Sequence, residues 1–421
     1  MKQNRRREAW VPPQRPDWVQ RINEEGSCMD VSGIVPLDEN SLIATARANT
    51  GLSDFGADDW YEPFQVLIRS LEEEAQLNLM GRLLTRSDLL LYLQARLQVE
   101  DTYRRHPGIE DEEIVAPLMI LGQGRSGTSA LLNMLAEDPD NGVVRTWEAM
   151  FPCPPPEKAS YWTDPRIERA DRLITQWNRV TPEVPSVHEF NGLIPTESIH
   201  VFCLGFRSTG WLNIMGQIPS YNVYMNTQSM VPALRYEKRV LKLLQWKNPR
   251  KHWVLKNPDS SRYIPETLEV YPDMHFAWIH RDPVRALASM INLIGILGWI
   301  RSDQPHKRGS FDAVTDPELM GAQLCVPIDL IEKGMLPTER LCNVQYQDFM
   351  EDPLAVAKRI YQYIGRPMTG QAEASMRRYM AENPRTARPK PKIDIGSQEL
   401  VEAERRAFRR YQEYFGVPNE I

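Results

Sequence analysis

Apolar residues recur at helical spacing through the N-terminal part of the chain. Between about Ser41 and Tyr103 they fall at i, i+3, i+4 and i+7, the period of one helix face, as in Phe64, Leu67, Ile68 and Leu71. This pattern predicts a helical region over residues 41–110. Residues 1–40 are polar and contain a cluster of prolines, which predicts an arm or an extended lead-in: Pro12, Pro13 and Pro16.

A different pattern begins near residue 111. Residues 117–121 form a short apolar run, a glycine-rich turn follows at 122–127, and residues 129–136 show helical spacing. This order of strand, loop and helix opens a parallel α/β unit. Further buried strands, with helical segments between them, are predicted at 253–255, 275–279 and 341–345. The alternation predicts an α/β domain over 111–421 with a doubly wound parallel sheet, whose ligands bind at the carboxyl ends of the strands.

Composition restricts the classes of function. The 421 residues are 42% hydrophobic and 25% charged, as in ordinary globular proteins, and carry a formal net charge of −6. No nucleic-acid partner is expected, because such binding needs a basic surface. The five cysteines lie far apart without metal-ligand spacing, which favours a reducing, cytoplasmic setting.

Two stretches bear on membranes and targeting. Basic residues open the chain, but the apolar segment of a signal peptide does not follow them. The longest apolar stretch, about 286–300, contains Ser289 and Asn292 and is too short to span a bilayer. We therefore expect a cytoplasmic protein without a transmembrane segment. The helical region over 41–110 is a candidate surface for forming a homo-oligomer.

The turn after the first strand has the frame of a phosphate-binding loop. Gly122 and Gly127 are spaced as in a P-loop, whose backbone N–H groups hold a phosphate at a helix N-terminus. A nucleoside triphosphatase would have Lys at the next position, where this chain has Thr128. The nearest cation is Arg125. The loop is therefore expected to bind phosphate without the Lys and Mg²⁺ arrangement, and the alternative is a glycine turn without a ligand.

This segment resembles the 5′-phosphosulfate loop of sulfotransferases that use 3′-phosphoadenosine-5′-phosphosulfate (PAPS). A second signature of that superfamily is an Arg at a strand end and a Ser eight residues later, which bind the 3′-phosphate; Arg281 and Ser289 match it. Taken alone, Arg281 has the alternative role of a surface ion pair with Asp282 or a neighbour. The resemblance implies a set of donor-binding residues: Gly124, Arg125, Ser126, Gly127, Thr128, Ser129, Arg281 and Ser289.

The resemblance extends to a bacterial-type sulfotransferase family from roughly Leu37 to Val417. The similar stretches are 47–52, 54–56, 147–148, 152–156, 253–258 and 346–348. In one departure, Ser260 stands where that family often has a His. The resemblance implies in-line transfer of a sulfuryl group from PAPS to a hydroxyl or amine of a small-molecule or lipid-like acceptor. We expect no metal requirement, because the phosphate that leaves is already a good leaving group.

Four residues are candidates for the chemistry. Glu148 is the first candidate base, because a related branch of the superfamily has a catalytic Glu after the same helix; its alternative is a structural pair with Arg145. His188 is the second candidate, since imidazole suits base catalysis near neutral pH, and its alternative is a structural His. Glu197 is a candidate for orienting a base or an acceptor. Lys256, at a strand end, resembles a Lys that contacts the transferring group, and its alternative is a solvated Lys.

Other functions and contacts remain open at this point. A nucleotide kinase or NTPase with a degenerate loop is one alternative, and a non-catalytic member of the fold is another. Lys390 and Lys392 are candidates to close over the 3′-phosphate, with a solvated linker as the alternative. An apolar acceptor pocket is one interpretation of six scattered aromatic residues, which otherwise belong to the core: Trp147, Phe151, Phe190, Phe202, Phe206 and Trp211.

Overall fold

A computed structural model describes residue 6 and residues 10–306, 309–384 and 393–421. It contains a five-stranded sheet in the order β2-β3-β1-β4-β5, and every pairing is parallel. The strands are β1 (Leu118–Leu121), β2 (Asn141–Gly142), β3 (His252–Lys256), β4 (His275–His280) and β5 (Leu341–Gln345). The predicted parallel sheet is confirmed, and the two-residue strand β2 is the one member that the apolar pattern did not predict.

Helices cover both faces of this sheet. The N-terminal helices are α1 (Asp17–Gly26), α2 (Val31–Ile34), α3 (Glu39–Thr50), α4 (Tyr61–Glu73) and α5 (Leu79–Arg105). Those of the middle part are α6 (Thr128–Leu135), α7 (Thr146–Met150), α8 (Pro165–Ile174), α9 (Gln176–Val180), α10 (Val184–Val187), α11 (Ile199–Phe202), α12 (Pro219–Asn226), α13 (Val231–Trp246) and α14 (Ile264–Val270). The last ones are α15 (Pro283–Trp299), α16 (Asp312–Thr315), α17 (Pro317–Glu332), α18 (Tyr346–Glu351), α19 (Pro353–Tyr363), α20 (Gly370–Glu382) and α21 (Gln398–Phe415).

The strands are buried on both faces, which is why they appear as continuous apolar runs in the sequence. Side chains of β4 alternate between two cores: Phe276 and Trp278 enter one, Ala277 and Ile279 the other. The first core also holds the N-terminal helices, and the second packs α6, α19 and α20 on the opposite face. This two-sided burial fixes the sheet in the middle of the molecule.

The N-terminal region differs from the prediction of an extended arm. Helices α1 and α2 form within it, and Val19 on α1 is fully buried. The side-chain oxygen of Asn23 accepts a 3.1 Å hydrogen bond from the backbone N–H of Met80, which attaches α1 to the start of α5. The prolines indicated extended chain, but Pro16 stands at the N-cap of α1, where a proline does not interrupt a helix.

The order of the strands brings the phosphate loop, Lys256 and Arg281 to the same edge of the sheet. β1 lies between β3 and β4, so the loop that leaves β1 is flanked by the carboxyl ends of both neighbours. Lys256 ends β3, and Arg281 directly follows β4.

In the described parts of the chain, no helix combines the length and the apolar character needed to cross a membrane. The homo-oligomer stays a prediction, and the structure of this single chain does not support it.

Candidate active site

The phosphate loop connects β1 to α6 through left-handed backbone. Arg125 has φ 72° and Gly127 has φ 97°, a region that favours glycine. At Gly122 a Cβ atom would lie 3.0 Å from the carbonyl oxygen of Ile279 and 2.7 Å from Oγ of Ser126, so a side chain has no room there. Successive N–H groups in such a turn, followed by a helix N-terminus, form a concave anion site.

Two loop residues expected to bind the donor are buried where the loop meets α6. Thr128, the first residue of α6, is 3% exposed, and Ser126 is fully buried. Within the described residues, Oγ of Ser126 has no hydrogen-bond partner. A buried hydroxyl without a partner costs free energy, so the Ser126 hydroxyl can donate a hydrogen bond to an oxygen of a phosphate group held by the loop.

Arg125 crosses from the loop to α15. Its Nε donates a 3.0 Å hydrogen bond to Oγ of Ser289, and its Nη1 donates to the backbone oxygen of Val187 at 2.6 Å. Burial, with a smaller contribution from the nearby Arg281 guanidinium, lowers the pKa of Arg125. The two signatures that lie far apart in the sequence, the loop and the Arg–Ser pair, therefore meet in one place.

Arg281 lies on the other side of the loop from Lys256. Its Nη1 donates a 2.5 Å hydrogen bond to the backbone oxygen of Arg125, and its guanidinium lies 4.0 Å from the ring centroid of Tyr346. The remaining edge forms a bidentate ion pair with Glu420, with both N···O distances 2.8 Å. An ion pair of Arg281 is therefore present, but with Glu420 and not with Asp282, whose carboxylate pairs with Arg405.

Lys256 joins the phosphate loop to the candidate residue Glu197. Its Nζ donates a 3.1 Å hydrogen bond to Oγ of Ser129 and also bonds to Glu197. Lys256 is only 4% exposed, so the interpretation as a solvated strand-end Lys does not hold. Burial raises the pKa of the Glu197 carboxyl, but the charge and hydrogen bond of Lys256 together with the nearby rings of His188 and His200 outweigh it, so the net pKa is lowered.

His188 has the protonation that a base requires. Its Nδ1 lies 2.8 Å from the backbone oxygen of Glu189, which can only accept, so Nδ1 carries the proton and Nε2 has the lone pair. Burial, assisted by Lys256 and Arg125, lowers the pKa of His188 to about 4, although the Glu197 carboxylate opposes this. The imidazole is therefore neutral near pH 7.

Glu148 occupies a different environment from the one expected of a base. It is fully buried, and Oε2 accepts the backbone N–H of Arg145 at 2.9 Å. Its other oxygen forms a 2.7 Å ion pair with Arg250. Both oxygens are thus held by partners, Arg145 at the N-cap of α7 and Arg250 just before β3, and Glu148 does not line the cavity described next. This position supports a structural role, with Arg250 as the main partner instead of the suggested Arg145 side chain.

One cavity of about 1520 Å³ is lined by the remaining candidates except Ser126 and Ser289, which are buried beside it. It is lined by the phosphate loop and Arg281 and also by His188, Glu197 and Lys256. An apolar part of the lining, the apolar chamber, includes four residues of α15 at i, i+3, i+4 and i+7: Met290, Leu293, Ile294 and Leu297. The cavity therefore combines an anion-binding loop, cationic side chains and an imidazole with an apolar chamber that adjoins the loop at Met290.

A family model described as Sulfotransferase family matches residues 117–370. This chain belongs to the sulfotransferase family. The match begins one residue before β1 and spans the loop, Lys256, Arg281 and Ser289. It confirms the resemblance inferred from the phosphate loop, and a nucleotide kinase is not favoured.

Relatives of this sulfotransferase come from mycobacteria. An omega-hydroxy-beta-dihydromenaquinone-9 sulfotransferase, Stf3, from Mycobacterium bovis and from Mycobacterium tuberculosis is 27% identical over 288 residues, 65% of this chain and 69% of the relative. The crystal structure of sulfotransferase STF9 from Mycobacterium avium matches with a TM-score of 0.76 and 26% identity, covering 91% of this chain and 97% of that one. STF1 from Mycobacterium tuberculosis H37Rv, at 24% identity and a TM-score of 0.72, covers 88% and 98% and supports the fold.

All six aromatic residues considered for the acceptor pocket are buried in the core of the sulfotransferase, and two of them also line the cavity. Phe190 and Trp211 line the cavity, as the pocket interpretation expected. The other four belong to the core: Trp147, Phe151, Phe202 and Phe206. Spacing along the sequence could not separate the groups, because burial against helices from distant parts of the chain decides it. Lys390 and Lys392 lie outside the described residues.

Sequence reasoning missed two charged residues of this site. Arg285 lines the cavity from the first turn of α15, and the four-residue spacing of Arg281, Arg285 and Ser289 was a signal that could have found it. Glu420 contacts Arg281 from the far end of the described chain. For Glu420 no local signal existed, because its position depends on where the chain returns after α21.

Proposed function

We propose that this chain transfers the sulfuryl group of PAPS to the hydroxyl of a lipid-like acceptor. The observation that carries the proposal is that one cavity brings together the phosphate loop, Arg281, Lys256, His188 and an apolar chamber. A donor with two phosphate-type groups and an amphipathic acceptor fit this combination.

The residues present fit the two anionic ends of PAPS. The 5′-phosphosulfate is assigned to the loop, where the unpartnered Oγ of Ser126 and the free N–H groups of the first turn of α6 offer hydrogen bonds. A Cβ at Gly124 would lie 1.9 Å from Cε of Met290, so a side chain at this position would require the flexible end of Met290 to move. The 3′-phosphate is assigned to Arg281 and Ser289, with Arg125 bridging the two ends.

His188 is proposed as the base in an in-line displacement. The acceptor oxygen forms a bond to sulfur while the bond from sulfur to the 5′-phosphate oxygen breaks, and the hydroxyl proton moves to Nε2 of His188. The carboxylate of Glu197 then stabilises the imidazolium that forms. Lys256, fixed by Ser129 and Glu197, is placed to stabilise the negative charge that develops on the leaving phosphate.

The acceptor is proposed to be an alcohol on a long apolar chain. The stripe on α15 and the apolar residues of α16 and α17 in the lining, Val314 and Met320 among them, give the chamber its apolar character. The related mycobacterial enzyme is named for an omega-hydroxylated quinone, which has a hydroxyl on an apolar molecule. Each methylene buried there contributes about 0.8 kcal/mol to binding.

The test uses labelled PAPS and a series of primary alcohols of increasing chain length. The expected result is PAPS-dependent sulfate ester formation with kcat/KM rising along the series until the chamber is full. Absence of transfer from PAPS to any alcohol contradicts the donor assignment, and a flat dependence on chain length contradicts the acceptor class. Thermal stabilisation by adenosine 3′,5′-bisphosphate (PAP) above that by ATP–Mg²⁺ checks the donor site without needing the acceptor; saturation at 100 times Kd adds roughly 2.7 kcal/mol.

A further inference from the structure

Glu420 holds the edge of Arg281 that a phosphate would use. Nε of Arg281 donates to Oε1 of Glu420 and Nη2 donates to Oε2, both at 2.8 Å. The side chains are 16% and 20% exposed, so the pair is only partly screened by water. Arg–carboxylate and Arg–phosphate pairs use the same planar fork of two parallel N–H donors.

The other contacts of Arg281 leave it no second free edge of this kind. Nη1 is used by the backbone oxygen of Arg125, and one face of the guanidinium lies 4.0 Å from the Tyr346 ring centroid. These contacts fix the plane of the guanidinium and aim its Nε–Nη2 edge at Glu420. A 3′-phosphate that pairs bidentately with Arg281 must therefore take the position of the Glu420 carboxylate.

The chain holds the backbone of Glu420 in place and leaves its side chain able to turn away. The N–H of Glu420 donates a 2.7 Å hydrogen bond to Asp282, and Arg405 binds both Asp282 and the backbone oxygen of Ile421. In the described part of the chain, Arg281 is the one cation within 4.0 Å of the Glu420 carboxylate. Rotation of one side chain is thus enough to free Arg281 without moving the segment.

We propose that Glu420 is an internal ligand of Arg281 that the 3′-phosphate of the nucleotide displaces and that returns when PAP leaves. This inference rests on the proposed function, because it assumes that Arg281 binds the 3′-phosphate. Two anions cannot share one edge of a guanidinium, since their charges repel. Nucleotide binding must therefore break the Arg281–Glu420 pair, which lowers the affinity for PAP and speeds its release.

The experiment measures the Kd and dissociation rate of PAP for the full chain and for Glu420→Gln. Glutamine keeps the size of the side chain but removes the competing charge, so PAP is expected to bind about 10-fold more tightly and to dissociate correspondingly more slowly. AMP, which lacks the 3′-phosphate, is expected to change less than about twofold. Glu413→Gln, an exposed position on α21 with the same change of charge, controls for long-range electrostatics.

A double-mutant cycle with Arg281→Ala separates a direct effect from a structural one. Without Arg281, Glu420→Gln is expected to leave PAP affinity unchanged. Glu420→Ala must agree in direction with Glu420→Gln, which guards against a variant that is merely misfolded. Unchanged or weaker PAP binding by both Glu420 variants overturns the inference while the proposed function stands. If the parent chain fails to bind PAP, the inference and the donor assignment are both overturned.

Discussion

Nζ of Lys256 and Oγ of Ser129 are joined by a 3.1 Å hydrogen bond, which connects the end of β3 to the first turn of α6. The ammonium is thereby fixed against the phosphate loop, and its other partner is the carboxylate of Glu197. A buried, immobilised cation at this place can respond to charge that develops on a leaving phosphate without first reorganising.

Replacing Lys256 by methionine tests that role. Methionine fills a similar volume, so the expected result is a fall in kcat of about 10²-fold or more with little change in the Kd of PAP. Steady-state kinetics and calorimetry on the same preparation measure the two quantities. Ser129→Ala, which removes one anchor and leaves the charge, is the matched control and should lose far less. A larger effect on PAP binding than on kcat would instead make Lys256 a residue of ground-state binding.

The base assignment predicts opposite outcomes for His188 and Glu148. His188→Ala should lower kcat by about 10²–10⁴-fold, because the acceptor hydroxyl loses its proton acceptor. Glu148→Gln should keep kcat within a few-fold and lower stability by about 3 kcal/mol, because it leaves the Arg250 guanidinium buried without a counter-charge. Turnover assays and denaturant titrations measure these effects. Near-normal turnover in His188→Ala together with an inactive, stable Glu148→Gln would reverse the assignment.

The protonation state of His188 can be measured directly. NMR titration of the ligand-free chain should show the His188 ring changing charge at a pH of about 4, well below the 6.5 of an ordinary imidazole. Because the lowered pKa keeps the ring neutral, the acid limb that His188 contributes to kcat/KM for PAPS should also lie near pH 4, with activity lost as pH falls through it. Assignment by comparison with His188→Gln identifies the signal among the seven histidines. A midpoint near 6.5 would contradict the burial argument.

Arg281 should discriminate nucleotides by their 3′-phosphate. Arg281→Ala is expected to weaken PAP binding by about 10-fold or more and to change AMP binding much less, because only PAP has a phosphate to pair with the guanidinium. Competition calorimetry with both ligands gives the ratio. Arg285→Ala is a useful comparison, since Arg285 lines the same cavity from the first turn of α15. Equal losses for PAP and AMP in Arg281→Ala would indicate a structural role only.

Sulfuryl transfer is expected to continue in EDTA. Lys256, Arg125 and Arg281 supply positive charge along the path from the loop to the acceptor side, so the reaction has cations without a divalent ion. The measurement is the rate of sulfate ester formation after dialysis against EDTA, with and without added Mg²⁺. Loss of activity that one divalent ion restores would contradict this expectation.

The phosphate loop was predictable because all of its determinants are neighbours in the sequence. A strand, two glycines at fixed spacing and a helix start are read from about twenty residues, and the left-handed turn at Gly127 follows from them. The base was not predictable in this way. Glu148 and His188 both follow α6 in the sequence, and either could serve as a base on that ground. Only the tertiary structure shows that Glu148 is held in a buried ion pair with Arg250 and that His188 lines the cavity.

The sequence by itself determined the parallel α/β architecture and the anion loop, because each depends on local periodicity or short spacing, and the resemblance to a known family singled out Arg281 and Ser289. Tertiary structure alone decided that Lys256 meets Ser129 and Glu197, that Arg125 reaches Ser289, and that Glu420 covers the edge of Arg281. The physical reason is that these contacts join segments up to 164 positions apart, as Arg125 and Ser289 are. Strand order and the path of the chain after α21 set them, and no local pattern encodes either.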